Sequence, residues 1–166
     1  KLVNSPWNGV ALDHSSNNLI KNISAISTRN AVELENSDYN VVNDIYSRNS
    51  GNNNVFLTQE SNYNNVSNLN SSNESWHGVR IHNSTHNTIE DSYLGPTDWE
   101  TVLVERQANN NTFSNLTIGG DSPGSFVFQY YAYDNEAENL TVNGGFKFGE
   151  GTENNSVQDS WLKFVS

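Results

Sequence analysis

The sequence contains no cysteine and no methionine. Without thiols there is no disulfide framework and no zinc–thiolate site. Lys and Arg together number eight against nineteen Asp and Glu, for a formal net charge of −11. Nucleic-acid binding draws on clustered cations that neutralise phosphates. The eight here are scattered, so no DNA or RNA partner is expected. No apolar run approaches the ~20 residues of a membrane helix, and no membrane insertion is expected. The chain opens on Lys1 rather than methionine, which reads as a processed protein or a piece of a longer one. The apolar fraction is 34%, below the ~45–50% of ordinary globular domains. Such a composition is compatible with disorder, but its apolar residues recur with a period that a disordered chain has no reason to keep.

Asparagine is what the sequence has in excess, at 30 of 166 residues. Many fall in one phrase: Asn, any residue, an apolar residue, any residue, then Asn or Asp, often with another apolar residue after it. The clearest copy is Asn18-Leu19-Ile20-Lys21-Asn22-Ile23. Further copies open at Asn40, Asn64, Asn87, Asn111, Asn135 and Asn155, at steps of 22, 24, 23, 24, 24 and 20 residues. A period in this range marks a solenoid. Each coil of a solenoid buries only a narrow stripe, so few apolar residues suffice.

Ahead of each Asn phrase runs an alternating one: Val10-Ala11-Leu12, Val32-Glu33-Leu34, Val55-Phe56-Leu57, Val79-Arg80-Ile81, Val102-Leu103-Val104, Phe126-Val127-Phe128 and Phe146-Lys147-Phe148. Period-two alternation is a strand with one buried face. A small or turn-forming residue usually precedes it (Gly9, Ala31, Asn54, Gly78, Ser125, Gly145), whereas Thr101, being β-branched, argues against a positive φ there. A third apolar phrase follows each Asn phrase, as in Leu116-Thr117-Ile118 and Leu140-Thr141-Val142. Each repeat is therefore three short strands and three bends. The expected fold is all-β: one domain over residues 1–166, a parallel β-helix of about seven three-strand coils with almost no α-helix. The segments Gly95–Trp99 and Gly119–Gly124 read as bulging turns.

This pattern resembles the right-handed parallel β-helix repeats of pectate-lyase-like, NosD-like and carbohydrate-binding β-helix proteins, over essentially the whole chain. The resemblance implies three parallel sheets, a right-handed coil and an Asn ladder at one corner. It says little about activity, because that fold serves lyases, hydrolases, epimerases, adhesins and inert fibres.

A bend leaves backbone N–H and C=O groups without sheet partners. Stacked carboxamides can satisfy them, each bonding the one above and below. Asn18, Asn40, Asn64, Asn87, Asn111, Asn135 and Asn155 are accordingly expected to be structural. The alternation turns Arg80 and His82 outward and defines two exposed columns on one sheet. One is Ala11, Glu33, Phe56, Arg80, Leu103, Val127 and Lys147; the other is Asp13, Glu35, Thr58, His82, Glu105, Gln129 and Gly149. Arg80, His82 and Glu105 are the best catalytic candidates, since uronate lyases and C5-epimerases abstract a proton beside a neutralised carboxylate. An ordinary exposed charge cluster explains them as well. His77, His82 and His86 are spaced by five and four on strands and turns, which does not converge on a metal. No metal site and no cofactor are implied. Val127 and Tyr131 are expected to contribute to an exposed apolar patch.

Nine Asn-x-Ser/Thr sequons occur, of which Asn70, Asn73 and Asn83, in turn regions, are the glycosylation candidates. Both ends carry third-strand sequence, so the chain holds close to a whole number of coils. It is either cut from a longer β-helix or stacks end to end or laterally on further copies. The sequence favours a non-enzymatic extracellular or cell-surface β-solenoid that self-associates into a fibre, sheath or surface layer. The alternative is a carbohydrate-binding or polysaccharide-processing domain, of lyase or epimerase type, with a polysaccharide as partner.

Overall fold

The computed structural model describes residues 1–73, 75–120 and 125–163. Strands stack in parallel as a β-solenoid of about seven coils, and among the described residues they form two sheets. The short-strand sheet runs Val10–Asp13, Val32–Glu35, Asn53–Thr58, His77–His82, Val102–Glu105, Phe126–Gln129 and Phe146–Phe148. Its register places Arg80 beside Phe56 and Leu103, Leu103 beside Val127, and Glu105 beside His82 and Gln129. These are the columns that the alternation implies. No helix among the described residues is long and apolar enough to cross a membrane.

The second sheet corrects the expectation of three. The Asn phrase and the phrase after it form one strand in five coils: Leu19–Ile26, Val41–Arg48, Asn65–Ser72, Thr88–Leu94 and Thr112–Gly119. They separate only later, into Glu136–Glu138 with Thr141–Asn143 and Ser156–Gln158 with Trp161–Lys163. The second Asn or Asp of the phrase stands at the corner in both cases. Asn22, Asp44, Asn68, Asp91, Asn115, Asn139 and Asp159 all have left-handed backbone, with φ between 46° and 57°. In Val41–Arg48 this inserts one extra outward position, so that Val42 and Ile45, three apart, both point inward. The chain turns a corner without leaving its hydrogen-bond ladder. Asn and Asp suit the site because their short polar side chains tolerate this region.

Among the described residues, twenty-seven non-glycine residues have positive φ, twelve of them asparagines. Much of the asparagine excess therefore serves left-handed bends rather than the ladder alone. The small residues before the alternating strands answer a different need. Gly9 and Gly78 lack positive φ, but a Cβ on Gly9 would lie 2.6 Å from the Ala31 carbonyl oxygen. Close approach of stacked backbones, not conformation, selects glycine at that position.

The core is continuous through the coils. Val32, Leu34, Val55, Leu57, Val79, Ile81, Val102 and Val104 from the short strands meet Val42, Ile45, Val66, Leu69, Ile89 and Leu116 from the long ones. Towards the C-terminal coils the packing becomes aromatic, with Phe113 edge-on to Phe126 at 5.0 Å and Phe126 stacked on Phe146 at 4.4 Å.

The seven asparagines of the repeat bond one another in succession. Each backbone N–H from Asn18 to Asn135 donates to Oδ1 of the next asparagine at 2.8–3.0 Å. Each Nδ2 donates to that same oxygen at 2.9–3.1 Å. From Asn64 onward Nδ2 also reaches back to a carbonyl of the preceding coil, such as Ser37 and Ser61. A serine ladder runs beside it: the N–H groups of Ser15, Ser37 and Ser61 donate to Oγ of Ser37, Ser61 and Ser84.

Candidate functional site

The outward face of the short-strand sheet carries the site. Its outward residues are not all exposed, as the alternation suggested: Thr58, Leu103, Glu105 and Val127 are buried. Leu103 and Glu105 form the floor of a cleft of about 350 Å³ whose lining also includes Trp76, His77, Arg80, Trp99, Glu100, Gln129 and Tyr130. The bulging turn at Gly95–Trp99 supplies one wall. In it Thr97 Oγ1 donates to the Trp99 carbonyl at 2.9 Å. The second bulging turn falls partly on residues 121–124, outside the described residues.

Arg80 and Glu105 are brought into direct contact. Arg80 Nε donates to Glu105 Oε1 at 2.9 Å, and a second guanidinium N–H donates to the same oxygen. The Arg80 guanidinium also sits 5.2 Å from the Phe56 ring centroid, within cation–π range. Glu105 is only 4% exposed, and a buried carboxylate holds its charge only when paired. This overturns the picture of Arg80, His82 and Glu105 as an exposed cluster. It also spends the Arg80 charge that a lyase or epimerase would use on a substrate carboxylate.

His82 is next to Glu105 in register but faces a second cleft, of about 510 Å³, with Asn83, Arg106, Gln107, Tyr130 and Tyr131. Tyr130 lines both clefts, which therefore adjoin and are together termed the groove. Arg106-Gln107 and Tyr130-Tyr131 are each two consecutive left-handed residues, with φ of 54° and 66°, and 50° and 66°. The expected shared patch of Val127 and Tyr131 is absent: Val127 is buried, and Tyr131 lines the second cleft. Partial burial lowers the His82 pKa, against the opposing pull of Glu105.

His77 is the residue that the periodicity hides, because it stands at the strand start rather than in an alternating position. It is buried, and its Nδ1 lies 2.7 Å from the Glu100 carbonyl oxygen. A carbonyl only accepts, so Nδ1 carries the proton and Nε2 the lone pair. Burial pushes the His77 pKa below its ordinary value, opposed by that hydrogen bond and by the Glu100 carboxylate. His77 is thus a neutral hydrogen-bond acceptor in the cleft wall. A depressed histidine pKa stabilises the fold above the unfolded value of about 6.5, and the contribution is lost as pH falls from there through the folded value. Melting temperature is therefore expected to drop between pH 7 and pH 5.5. The drop should be smaller in His77→Gln, as thermal denaturation at the two pH values would measure.

His86 lines neither cleft. It stacks on Tyr63 at 4.7 Å, and Tyr63 stacks on Tyr39 at 5.0 Å, along an exposed corner. Among the described residues no three His, Asp or Glu side chains are grouped to hold a metal ion. Of the sequon candidates, Asn73 and Asn83 occupy left-handed bends. Asn70 lies in strand Asn65–Ser72, paired with Tyr46 and Tyr93, rather than in a turn. Its side chain is exposed there.

No protein-family model matches the chain. No curated protein matches it either. Solved structures similar to it include a mutant of the periplasmic alginate epimerase AlgG, at 10% identity and TM-score 0.49, covering 93% of this chain and 45% of that one. Another is the A-module of the mannuronan C-5 epimerase AlgE4 of Azotobacter vinelandii, at 14% identity and TM-score 0.47, covering 87% and 54%. The chain spans about half the length of each.

Proposed function

We propose that this domain binds a polysaccharide in the groove of the short-strand sheet, at the cell surface or outside the cell. The observation that carries the reading is the combination of Trp76, Trp99 and Tyr130 around one cleft, 45%, 62% and 44% exposed. Single exposed rings are ordinary, but several gathered in one concave site mark a binding surface. An amphipathic ring offers an apolar face and a polar edge, which matches a sugar's C–H face and hydroxyl rim. Gln129, Glu100 and neutral His77 supply hydrogen-bond partners in the same cleft. Rings gathered in a cleft with polar lining, rather than on a flat face, favour glycan binding over self-association. Polysaccharide processing of lyase or epimerase type is disfavoured, because Arg80 is bonded to Glu105.

Native affinity electrophoresis through gels containing soluble polysaccharides, both neutral and acidic, tests the reading. Retardation by at least one polymer is expected. Unchanged mobility in every gel would overturn it.

A further inference from the structure

We infer that the groove selects glycan chains without charge and rejects polyuronates. The inference rests on the glycan-binding reading above and adds the substrate class. Its starting point is a balance of charge. The two clefts together hold two guanidiniums, Arg80 and Arg106, and two carboxylates, Glu100 and Glu105. The Arg80 charge is committed to Glu105 through two donors to one buried oxygen. Turning it towards a ligand would leave Glu105 as an uncompensated buried charge, a strongly unfavourable state. Glu100 then faces the first cleft with no cation left to offset it.

Arg106 is the remaining cation, and it stands exposed at the far end of the groove. A single solvent-exposed charge is weakened by water and salt. On the N-terminal side the same two columns continue with Glu33, Glu35 and Asp13, three carboxylates against the single cation Lys147 on the C-terminal side. The chain as a whole carries −11. A polyuronate, with a carboxylate on every sugar, would lie against this surface at a Coulombic cost that an uncharged chain avoids. The aromatic walls and the neutral acceptor at His77 ask for nothing charged.

The test compares one backbone in two charge states. Polygalacturonate, polymannuronate and polyglucuronate are each placed in native gels beside their carboxyl-reduced forms, and the intact chain is run through both at low salt. At least one reduced polymer is expected to retard the chain with an apparent affinity tenfold or more above that of its acidic parent. Raising the salt concentration is expected to narrow this gap, since repulsion is its cause. Glu105→Gln, which releases Arg80, is expected to shift preference towards the acidic parent. The salt series makes the same distinction if that variant fails to fold. Equal or tighter binding of the acidic parents would overturn the charge selection while leaving glycan binding standing. Failure of every polymer to retard the chain, in either form, would overturn both.

Discussion

Asn87→Leu is expected to lower the melting temperature by about 5–15 °C. Asn87 is buried, and its Oδ1 accepts from the Asn64 N–H at 2.9 Å while its Nδ2 donates to the Ser61 carbonyl at 3.0 Å. Leucine fills a similar volume but removes both functions. The Asn64 N–H and the Ser61 carbonyl then lose these partners inside a dry coil. A buried polar group left unmade costs about 1–3 kcal/mol, and the two together about 2–5 kcal/mol after the apolar gain of leucine. For a chain of this size each kcal/mol is worth roughly 2–4 °C. Asn18→Leu is the graded control. No asparagine donates to Asn18 from above and it is exposed, so its loss should cost markedly less. Differential scanning calorimetry of both variants measures the contrast, and equal melting temperatures across the three proteins would remove the ladder as a source of stability.

Trp99→Ala is expected to weaken glycan binding by about 30-fold while leaving the melting temperature unchanged. The indole is 62% exposed on the bulging turn and lines the first cleft. It therefore adds little to the fold, and truncation should read almost entirely in binding. Aromatic anchors at a recognition surface commonly cost about 2 kcal/mol on removal, and about 1.4 kcal/mol is tenfold in affinity. Trp7 is 73% exposed but lines neither cleft, so Trp7→Ala should bind as the unaltered chain does. Titration calorimetry with a retained polysaccharide separates the two.

The register of the short-strand sheet was legible because a parallel stack aligns equivalent residues one above another. A period-two strand also leaves no choice of face. That is why the spacing alone puts Arg80, Leu103 and Val127 in one column, as the register does. Exposure was not legible by the same rule. Alternation says that Glu105 points outward, but whether outward means solvent depends on what rises beside it. Here the wall is built by the turn carrying Trp99 and the bend carrying Tyr130, which interrupt the repeat and have no periodic signature. The place of His77 in the cleft escapes the period for a related reason. Its role comes from a hydrogen bond to the Glu100 carbonyl one coil away, and nothing in the spacing of histidines encodes it.

The asparagines show a second limit. Composition and period mark the repeat but do not separate the jobs that one residue type holds. The chain uses asparagine in two ways, as ladder rungs such as Asn111 and as left-handed corners such as Asn115, four residues apart in the same phrase. The corner at Asn115, like those at Asn22, Asp44, Asn68 and Asp91, lies inside one bent strand where two strands were expected. Where three sheets were expected, the described residues form two. A single-residue φ change of this kind leaves no trace in hydrophobic patterning, although Asn or Asp recurring at that step is the cue that points to it.

The groove claim is tested most directly by the indole N–H resonances of the four tryptophans in a ¹H–¹⁵N spectrum, followed during titration with a polysaccharide fragment that the chain retains. Trp76 and Trp99 line the first cleft, whereas Trp7 and Trp161 line neither cleft. All four are exposed, so each is free to report contact. The expected result is that the Trp76 and Trp99 signals shift together and saturate while those of Trp7 and Trp161 stay fixed. Saturating shifts at Trp7 or Trp161 with Trp76 and Trp99 unmoved would contradict it, and would place glycan contact away from the short-strand sheet.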